Sequence, residues 1–256
     1  GLKRYFLKYL DRITSTISTI IIVDSLSQKD FLEGQNVVKK NKALVIGYGS
    51  ISGVDVKRFH PDKNARDKVR LDMNVQNSAI VFLFVGRLKK DKGVFELAES
   101  FSRVCDKIPN AELWFVGDDE ENIKCELDPY ISIKYKNIKF IEYTTSPERY
   151  MKAADVFCLP SYREGFGTSI IEAASCGIPS IGTRIYGIID AIVDNKTGLL
   201  VNVKSIDSLT FGMLKMAKNN SFRKEMGIRA EKNALERFDS DRVTEGLLLI
   251  LKESVN

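Results

Sequence analysis

Residues 156–181, VFCLPSYREGFGTSIIEAASCGIPSI, place two short apolar segments on either side of a glycine-containing loop and a helical stretch. The first segment, 156–159, is apolar at every position, and helical spacing follows the loop from 168 to 176. The second segment, 179–181, follows a glycine turn. Uninterrupted apolar strands joined by helices are typical of a parallel sheet that is covered on both faces. The stretch therefore predicts an α/β fold with a doubly wound parallel sheet.

The same alternation extends along most of the chain from residue 79 onward. Further strands are predicted at 79–85, 112–116, 138–141 and 198–201. Helices are predicted at 94–107, from about 120, at 147–154, and as two or three segments between about 205 and 255. In doubly wound folds the ligand binds at the carboxyl ends of the strands. The residues that follow the strands are therefore the candidates for function.

The first part of the chain is organised differently. Its pattern predicts a helix, a strand at 19–23, a second helix and a strand at 43–46, followed by the glycine-rich segment GYGSISG at 47–53. Two strands do not make an independent domain. We therefore expect this part to be the end of a Rossmann-like domain whose beginning is missing from the chain.

This organisation predicts three parts. Residues 1–58 would be the tail of the missing amino-terminal domain together with a hinge. Residues 59–238 would form the main, ligand-binding domain on the doubly wound sheet. Residues 239–256 would form a terminal helix that returns toward the amino-terminal half, with part of its apolar face (247–251) poorly covered.

Bulk composition excludes several classes of protein. The net charge of +5 is small and spread along the 256 residues, which argues against a nucleic-acid partner. No segment approaches the roughly 18 apolar residues that span a membrane. The four cysteines are scattered and His60 is the only histidine, so zinc ligands are too few and we expect no metal. Reduced cysteines favour a cytoplasmic location.

Basic and apolar residues alternate near the amino terminus. A helical stretch combines four cations with four large apolar side chains: Lys3, Arg4, Lys8 and Arg12 with Tyr5, Phe6, Leu7 and Leu10. Such a helix could lie on an anionic membrane surface, which would make the protein peripheral at the inner face of the membrane. The alternative is an ordinary amphipathic helix that packs on its own domain.

A basic loop follows the strand predicted at 79–85. The segment GRLKKDKG, 86–93, begins at the strand end and leads into a helix. Arg87 and Lys92 would converge beside the amino terminus of that helix. Two cations and free backbone N–H groups suit a diphosphate, although a solvated basic turn would have the same composition.

Two glutamates mark the loop and helix after the strand 156–159. Gly165 and Gly167 allow a ligand to approach the backbone, and Thr168 is placed at or next to the helix N-cap. Glu172 lies among apolar residues of the helix, where a carboxylate is unexpected unless it has a function. Glu164 precedes the helix in the loop. One carboxylate on a ribose diol and the other on a sugar hydroxyl would explain both positions.

The spacing of Glu164 and Glu172 is the E-x7-E signature of retaining glycosyltransferases with the GT-B fold, family four in the usual classification. The surrounding PSxxEGFG and EAxxxGxP patterns, VGR at 85–87 and KG at 92–93 are similar to the same family. The linker GSISGVD at 49–55 with Phe59 resembles capsule and O-antigen transferases, and the segment 187–201 continues the match. The resemblance runs from about residue 43 to 201 in the family's order.

The resemblance implies a role for each candidate. Arg87 and Lys92 would hold the donor's diphosphate and stabilise it as the leaving group. Glu164 would contact the transferred sugar, Glu172 the ribose hydroxyls, and Tyr143, in the loop 142–144, the nucleobase. The donor-binding set implied is Gly86, Arg87, Lys92, Tyr143, Glu164, Gly165, Phe166, Gly167, Thr168 and Glu172.

The implied reaction is metal-independent transfer of a hexose or N-acetylhexosamine from a nucleoside-diphosphate sugar to a glycan or lipid-linked acceptor, as in polysaccharide biosynthesis. The nucleotide sugar is a substrate and no cofactor is implied; uridine is favoured as the base, with guanosine second. The family's amino-terminal glycine loop and its histidine or acidic group are missing. The segment GDDEE at 117–121 is also more acidic than the family pattern. We therefore expect this chain to bind a donor and to be nearly inactive alone.

Three other interpretations remain at this stage. The glycines at 47–53 could belong to a fingerprint for NAD(P) or S-adenosylmethionine, but that motif requires a helix to open within it. The chain could belong to a GT-B enzyme of another reaction, such as an epimerase or phosphorylase. It could also be a nucleotide-binding module without catalysis.

Overall fold

The computed structural model describes residues 2–127 and 137–255. Its first part contains a helix, α1 (Leu2–Ile17), strand β1 (Ile21–Val23), helix α2 (Leu26–Gly34) and strand β2 (Ala43–Val45). The two strands are parallel, with Ile21 opposite Ala43. A small apolar core of Val23, Val38 and Ala43 lies beneath them and is separate from the main core. The order of elements predicted for this part is confirmed.

The main sheet has six strands, and all of them are parallel. Its strands are β3 (Val81–Val85), β4 (Glu112–Val116), β5 (Ile138–Ile141), β6 (Val156–Leu159), β7 (Ser180–Thr183) and β8 (Gly198–Val201). They are ordered β5-β4-β3-β6-β7-β8, so the direction of progression reverses between β3 and β6. Reversal of this kind opens a crevice at the carboxyl ends of the two strands. The predicted doubly wound sheet is confirmed.

Helices connect the strands of this sheet. They are α3 (Lys63–Asp72), a 3-10 turn (Lys90–Lys92), α4 (Val94–Cys105), α5 (Glu148–Ala153), α6 (Thr168–Ser175), α7 (Ile188–Ala191), α8 (Ile206–Lys218), α9 (Asn220–Arg237) and α10 (Ser240–Val255). Side chains of Asp62, Ser205 and Asn219 cap α3, α8 and α9 by accepting backbone N–H groups. The helix predicted from about 120 is seen at 123–127, and the rest lies outside the described residues.

Burial explains why the strands are apolar at successive positions. Val81, Phe82, Leu83 and Phe84 of β3 are all fully buried, although successive side chains of a strand point to opposite faces. Both faces of the sheet are therefore covered. Each large side chain buried in this way contributes about 1.5–3 kcal/mol to folding.

The expected hinge (residues 47–58) is hydrogen-bonded to the short connection between α9 and α10. The backbone N–H of Val54 donates to the carbonyl of Phe238 at 2.7 Å, and that of Ser240 donates to the carbonyl of Val54 at 2.9 Å. No helix opens within the segment 47–53, and the next helix starts at Lys63. The interpretation of 47–53 as a dinucleotide or S-adenosylmethionine fingerprint is therefore wrong, because the helix amino terminus that would hold the phosphates is not there.

Candidate functional site

Two adjoining cavities lie at the carboxyl ends of the central strands. The first, about 490 Å³, is lined by the loop after β3, the loop after β6 and the start of α6. The second, about 590 Å³, lies between the ends of β3, β4 and β5 and reaches α6. Val85, Gly86 and Arg87 line both cavities, so Arg87 stands at the junction. All ten residues predicted from the sequence line one cavity or both: Gly86, Arg87, Lys92, Tyr143, Glu164, Gly165, Phe166, Gly167, Thr168 and Glu172.

The two predicted cations are held differently. Lys92 Nζ lies 2.7 Å from Glu164 Oε1, and both side chains are largely buried. Arg87 is exposed, and its Nη1 lies 3.5 Å from Glu120 Oε1. Glu120 also pairs with Lys89, and this hydrogen bond is the main reason why the pKa of Glu120 is lowered from its ordinary value. The first cavity therefore contains a fixed lysine and a more accessible arginine.

The loop after β6 orients Glu164 and presents the amino terminus of α6. Ser161 Oγ, which is buried, donates a hydrogen bond to Glu164 Oε1 at 2.7 Å. Gly167 is the N-cap of α6, and no side chain caps the helix there, so first-turn amides are available to an anion. Phe166 packs edge-on against Phe238 at 5.2 Å and is 3% exposed, so its side chain belongs to the core.

Glu172 lies in the second cavity, one helical turn into α6. Burial raises the pKa of Glu172 above its usual value, and the nearby Arg58 opposes that shift only in part. Its carboxylate has no hydrogen-bond partner in the part of the chain that the structure describes, because the nearby Arg58 pairs with Glu148 instead. A half-buried, unpartnered carboxylate is suited to accept hydrogen bonds from hydroxyl groups of a ligand.

The outer wall of the second cavity contains Tyr143 and Arg58. Tyr143 is 66% exposed and follows β5. The Arg58 guanidinium donates to Glu148 Oε2 from Nε at 3.0 Å and from Nη2 at 2.7 Å, and also to the carbonyl of Thr145. Arg58 thus ties the hinge to the loop that carries Tyr143.

Sequence reasoning missed several residues of the site, among them Asp24, Arg58, Glu120 and Ser161. Asp24 and Arg58 line the cavities, whereas Glu120 and Ser161 hold residues that do so. Asp24 follows directly after β1, and the rule that ligands bind at strand carboxyl ends could have found it. Ser161 lies in the PSxxEGFG pattern and Glu120 in the acidic segment 117–121, but neither pattern assigned them a role, and Arg58 carried no comparable signal.

Cysteines and acids do not form a metal cluster in residues 2–127 and 137–255, and the expectation of a metal-free site stays a prediction. Burial raises the pKa of Cys105 to about 11 and that of Cys176 to about 12. Both thiols are therefore protonated at neutral pH and inert. Across these same ranges, each helix is too short or too polar to traverse a bilayer.

Comparison with known proteins bears directly on the site. Residues 66–233 match the model of the glycosyl transferases group 1. The capsular polysaccharide biosynthesis glycosyltransferase CapM of Staphylococcus aureus is 31% identical over 248 residues, which cover 96% of this chain and 65% of that protein. An N,N'-diacetylbacillosaminyl-diphospho-undecaprenol alpha-1,3-N-acetylgalactosaminyltransferase of Campylobacter jejuni is 26% identical, with 97% of this chain and 64% of that protein covered. The chain thus spans less than two thirds of either relative.

A solved structure shares the fold. HepE from Anabaena, in complex with UDP and glucose, superposes with a TM-score of 0.86 at 20% sequence identity, covering 96% of this chain and 67% of that one. At this identity the likeness shows the fold alone. Since the family match covers most of the chain and includes both glutamates, Arg87 and Lys92, the chain belongs to the glycosyl transferases group 1.

Proposed function

We propose that this chain is the donor-binding part of a retaining glycosyltransferase, which moves a hexose or N-acetylhexosamine from a UDP-sugar to a glycan or lipid-linked acceptor. The observation that carries the proposal is the pair of adjoining cavities with Arg87 at their junction. A nucleoside-diphosphate sugar has the same arrangement of parts, because its diphosphate joins a nucleoside to a sugar. The nucleoside would occupy the cavity of Glu172 and Tyr143, and the sugar that of Glu164.

The cations and helix α6 act on the leaving group in this scheme. When the bond between the sugar C1 and the phosphate oxygen breaks, negative charge develops on the nucleoside diphosphate. Arg87, Lys92 and the uncapped amino terminus of α6 are placed to stabilise that charge. Glu164 would hold the sugar, with its carboxylate fixed by Ser161 and Lys92. The transfer needs no metal ion in this proposal.

The names of relatives guide the choice of base, sugar and acceptor. HepE binds UDP and glucose, and the Campylobacter jejuni relative is named for transfer of N-acetylgalactosamine to a diphospho-undecaprenol-linked sugar. CapM is named for capsular polysaccharide biosynthesis. We therefore place uridine first and guanosine second, and propose a growing, lipid-linked glycan as the acceptor. Transfer by these 256 residues alone should be slow, because the two-stranded first part is too small to form an acceptor domain.

Calorimetric titration with UDP, GDP and ADP tests the donor site. We expect one nucleotide to bind, and Glu172→Ala to weaken that binding by roughly 10- to 100-fold, since hydrogen bonds to a charged group are lost. Glu99→Ala is the matched control, because Glu99 is an exposed acid on α4 whose ion pair is with Arg103. If none of the three nucleotides binds, or Glu172→Ala binds as the wild type does, the proposed site is wrong.

Retention is tested by following the anomeric configuration. The product or slow hydrolysate of an α-linked UDP-sugar is monitored by NMR before mutarotation is complete. We expect the α-anomer to form first, and a β-anomer would reject the retaining assignment. Complete absence of turnover in this chain and in a longer protein that contains it would favour a nucleotide-binding module without catalysis.

We further propose that α1 contacts a membrane surface. Large apolar side chains of α1 are exposed, namely Tyr5, Phe6, Leu7, Tyr9, Leu10, Ile13 and Ile17. The polar side of the helix faces the protein instead: Lys8 donates to Gln35, Arg12 to the carbonyl of Asn36, and Ser15 to the carbonyl of Val37. An amphipathic helix that packs on its own domain would instead bury its apolar side chains and expose its polar ones. This orientation supports apolar insertion more than attraction of Lys8 and Arg12 to anionic lipid.

Vesicle sedimentation tests the membrane contact. We expect the chain to sediment with vesicles of phosphatidylglycerol and phosphatidylcholine, and Phe6→Asp to reduce the bound fraction several-fold. Phe211→Asp is the matched control, because Phe211 is an exposed phenylalanine on α8. Equal sedimentation of both variants and the wild type, or no sedimentation at all, would refute the contact.

A further inference from the structure

We infer that Asp24, contributed by the first part of the chain, binds a hydroxyl group of the transferred sugar and selects against donors with an acidic sugar. The inference rests on the proposed function. It concerns the residue directly after β1, which lines the first cavity together with Arg87, Lys92 and Glu164. Asp24 is 140 positions away from Glu164 in the chain, and the fold brings both carboxylates to one cavity.

The Asp24 carboxylate lies directly on the loop that carries Glu164. A methyl group added at Gly165 would stand 2.8 Å from Asp24 Oδ2, which is closer than a Cβ and an oxygen can approach. Gly165 thus leaves room for the carboxylate to reach the cavity. The next residue, Ser25, makes a long hydrogen bond of 3.4 Å from its Oγ to the carbonyl of Gly165.

The backbone of Asp24 is fixed on both sides. Its N–H donates to Gln28 Oε1 at 2.9 Å, and its carbonyl accepts from the N–H of Ser50 in the hinge at 2.7 Å. Further contacts join the same segment to the loop between β7 and α7, since Gly187 donates its N–H to Ser27 Oγ at 2.8 Å and Phe31 stacks on Tyr186. The backbone that carries the Asp24 side chain is therefore held in place at the edge of the cavity.

The carboxylate itself has no hydrogen bond or ion pair in the part of the chain that the structure describes. Lys92, a cation that lines the same cavity, is paired with Glu164. A partly buried carboxylate oxygen without a donor gains most from a ligand that supplies one, and a sugar hydroxyl does so. A uronic acid in the same place would bring a second negative charge beside Asp24 and would be repelled. The cavity is thus suited to a neutral sugar with a free hydroxyl.

The test compares UDP with UDP-sugars on this chain and its variants by calorimetry. The probes are UDP, UDP-glucuronate and the tightest neutral donor among UDP-glucose, UDP-galactose and their N-acetylated forms. For Asp24→Asn we expect roughly tenfold weaker binding of the neutral UDP-sugar. Binding of UDP should be unchanged or tighter, because one negative charge is removed near the diphosphate. The difference in affinity between the neutral UDP-sugar and UDP-glucuronate should be smaller in Asp24→Asn than in the wild type.

Two further variants complete the design. Asp30→Asn makes the same charge change at an exposed position of α2, outside the cavity, and should leave all affinities as in the wild type. Asp24→Ser should match Asp24→Asn if the carboxylate binds the sugar. If both Asp24 variants bind UDP and the UDP-sugar with wild-type affinities, the inference is overturned and the donor site stays intact. If the affinities for UDP and the UDP-sugar fall by the same factor in both variants, the inference is overturned in favour of a structural role. Failure of the wild type to bind UDP, GDP and ADP refutes the proposed function itself.

Discussion

Lys92 Nζ and Glu164 Oε1 lie 2.7 Å apart and join the loops that follow β3 and β6. These are the two strands at which the order of the sheet reverses. The ion pair therefore spans the crevice of the doubly wound fold, with Ser161 holding the same carboxylate oxygen from the β6 side. Because both side chains are largely buried, neither can be removed without leaving the other charge poorly solvated.

Loss of one partner of this pair should cost more than loss of both. We expect Lys92→Met to lower the free energy of unfolding by about 1–3 kcal/mol, since Glu164 is then buried without its cation. Adding Glu164→Gln should restore part of that loss. Urea denaturation of the two single variants and the double variant measures the coupling. Strictly additive effects would show that the pair is not coupled.

Glu120 should compete with the donor for Arg87. It pairs with Arg87 and Lys89, so an incoming diphosphate must replace it. We expect Glu120→Gln to tighten binding of the nucleoside diphosphate roughly two- to threefold at low salt, and less at high salt, because the pairs are exposed. Calorimetry at two salt concentrations checks this, with Glu126→Gln, which pairs with Lys90, as the control. Weaker binding in Glu120→Gln would contradict the prediction.

Glu172 should lower the folding stability of the ligand-free protein, although it stabilises the complex with the ligand. Burial raises the pKa of Glu172, so the folded state holds its proton more tightly than the unfolded chain. Stability therefore falls as pH rises through the interval between the usual glutamate pKa and the raised one. Near pH 7, we expect Glu172→Gln to be more stable than the wild type by about 0.5–1 kcal/mol and to unfold at a higher temperature. Near about pH 4, we expect the variant and the wild type to be equally stable. Thermal unfolding at both pH values tests whether the substitution stabilises the protein, and a variant that is less stable than the wild type near pH 7 would contradict the prediction.

Gly93 should tolerate no side chain. Its φ is +70°, and a Cβ would stand 2.2 Å from the carbonyl oxygen of Pro160. Gly93→Ala is therefore expected to destabilise the fold by about 2–4 kcal/mol and to separate Lys92 from Glu164. Gly34→Ala is the control, because nothing lies within 4 Å of the added methyl and the site is helical. Comparable denaturation curves for the two variants would show that the loops accommodate the methyl group.

Arg58 should hold the wall of the second cavity in place. It bridges the hinge to Glu148 and the carbonyl of Thr145, and it also reduces the shift of the Glu172 pKa. We expect Arg58→Met to weaken nucleoside diphosphate binding several-fold with little change in overall stability, since the pair is partly exposed. Calorimetry together with thermal unfolding separates the two effects. A large loss of stability with unchanged affinity would indicate a structural residue.

Sequence pattern alone predicted the elements of the main sheet closely. Strands such as Val81–Val85 and Glu112–Val116 are apolar at nearly every position, and this marks them as buried on both faces whatever their neighbours are. The E-x7-E spacing sets Glu164 in the loop before α6 and Glu172 one turn into that helix. These are local properties, because they depend on residues a few positions apart. Binding of a nucleoside-diphosphate sugar, with its nucleoside in one cavity and its sugar in the other, stays a prediction.

Tertiary structure decided what lies beside those residues. Three contacts join residues that are far apart in the chain. Asp24 lies against Gly165, Arg58 is hydrogen-bonded to Glu148, and Glu120 forms an ion pair with Arg87. It also decided that α1 presents its apolar side outward, although its composition fits either orientation. Hydrophobic periodicity states which face of an element is apolar, but not what will cover that face. Contacts between distant segments follow only from how the hinge and the strand ends pack together, because that packing is determined by the shape and burial of the whole chain.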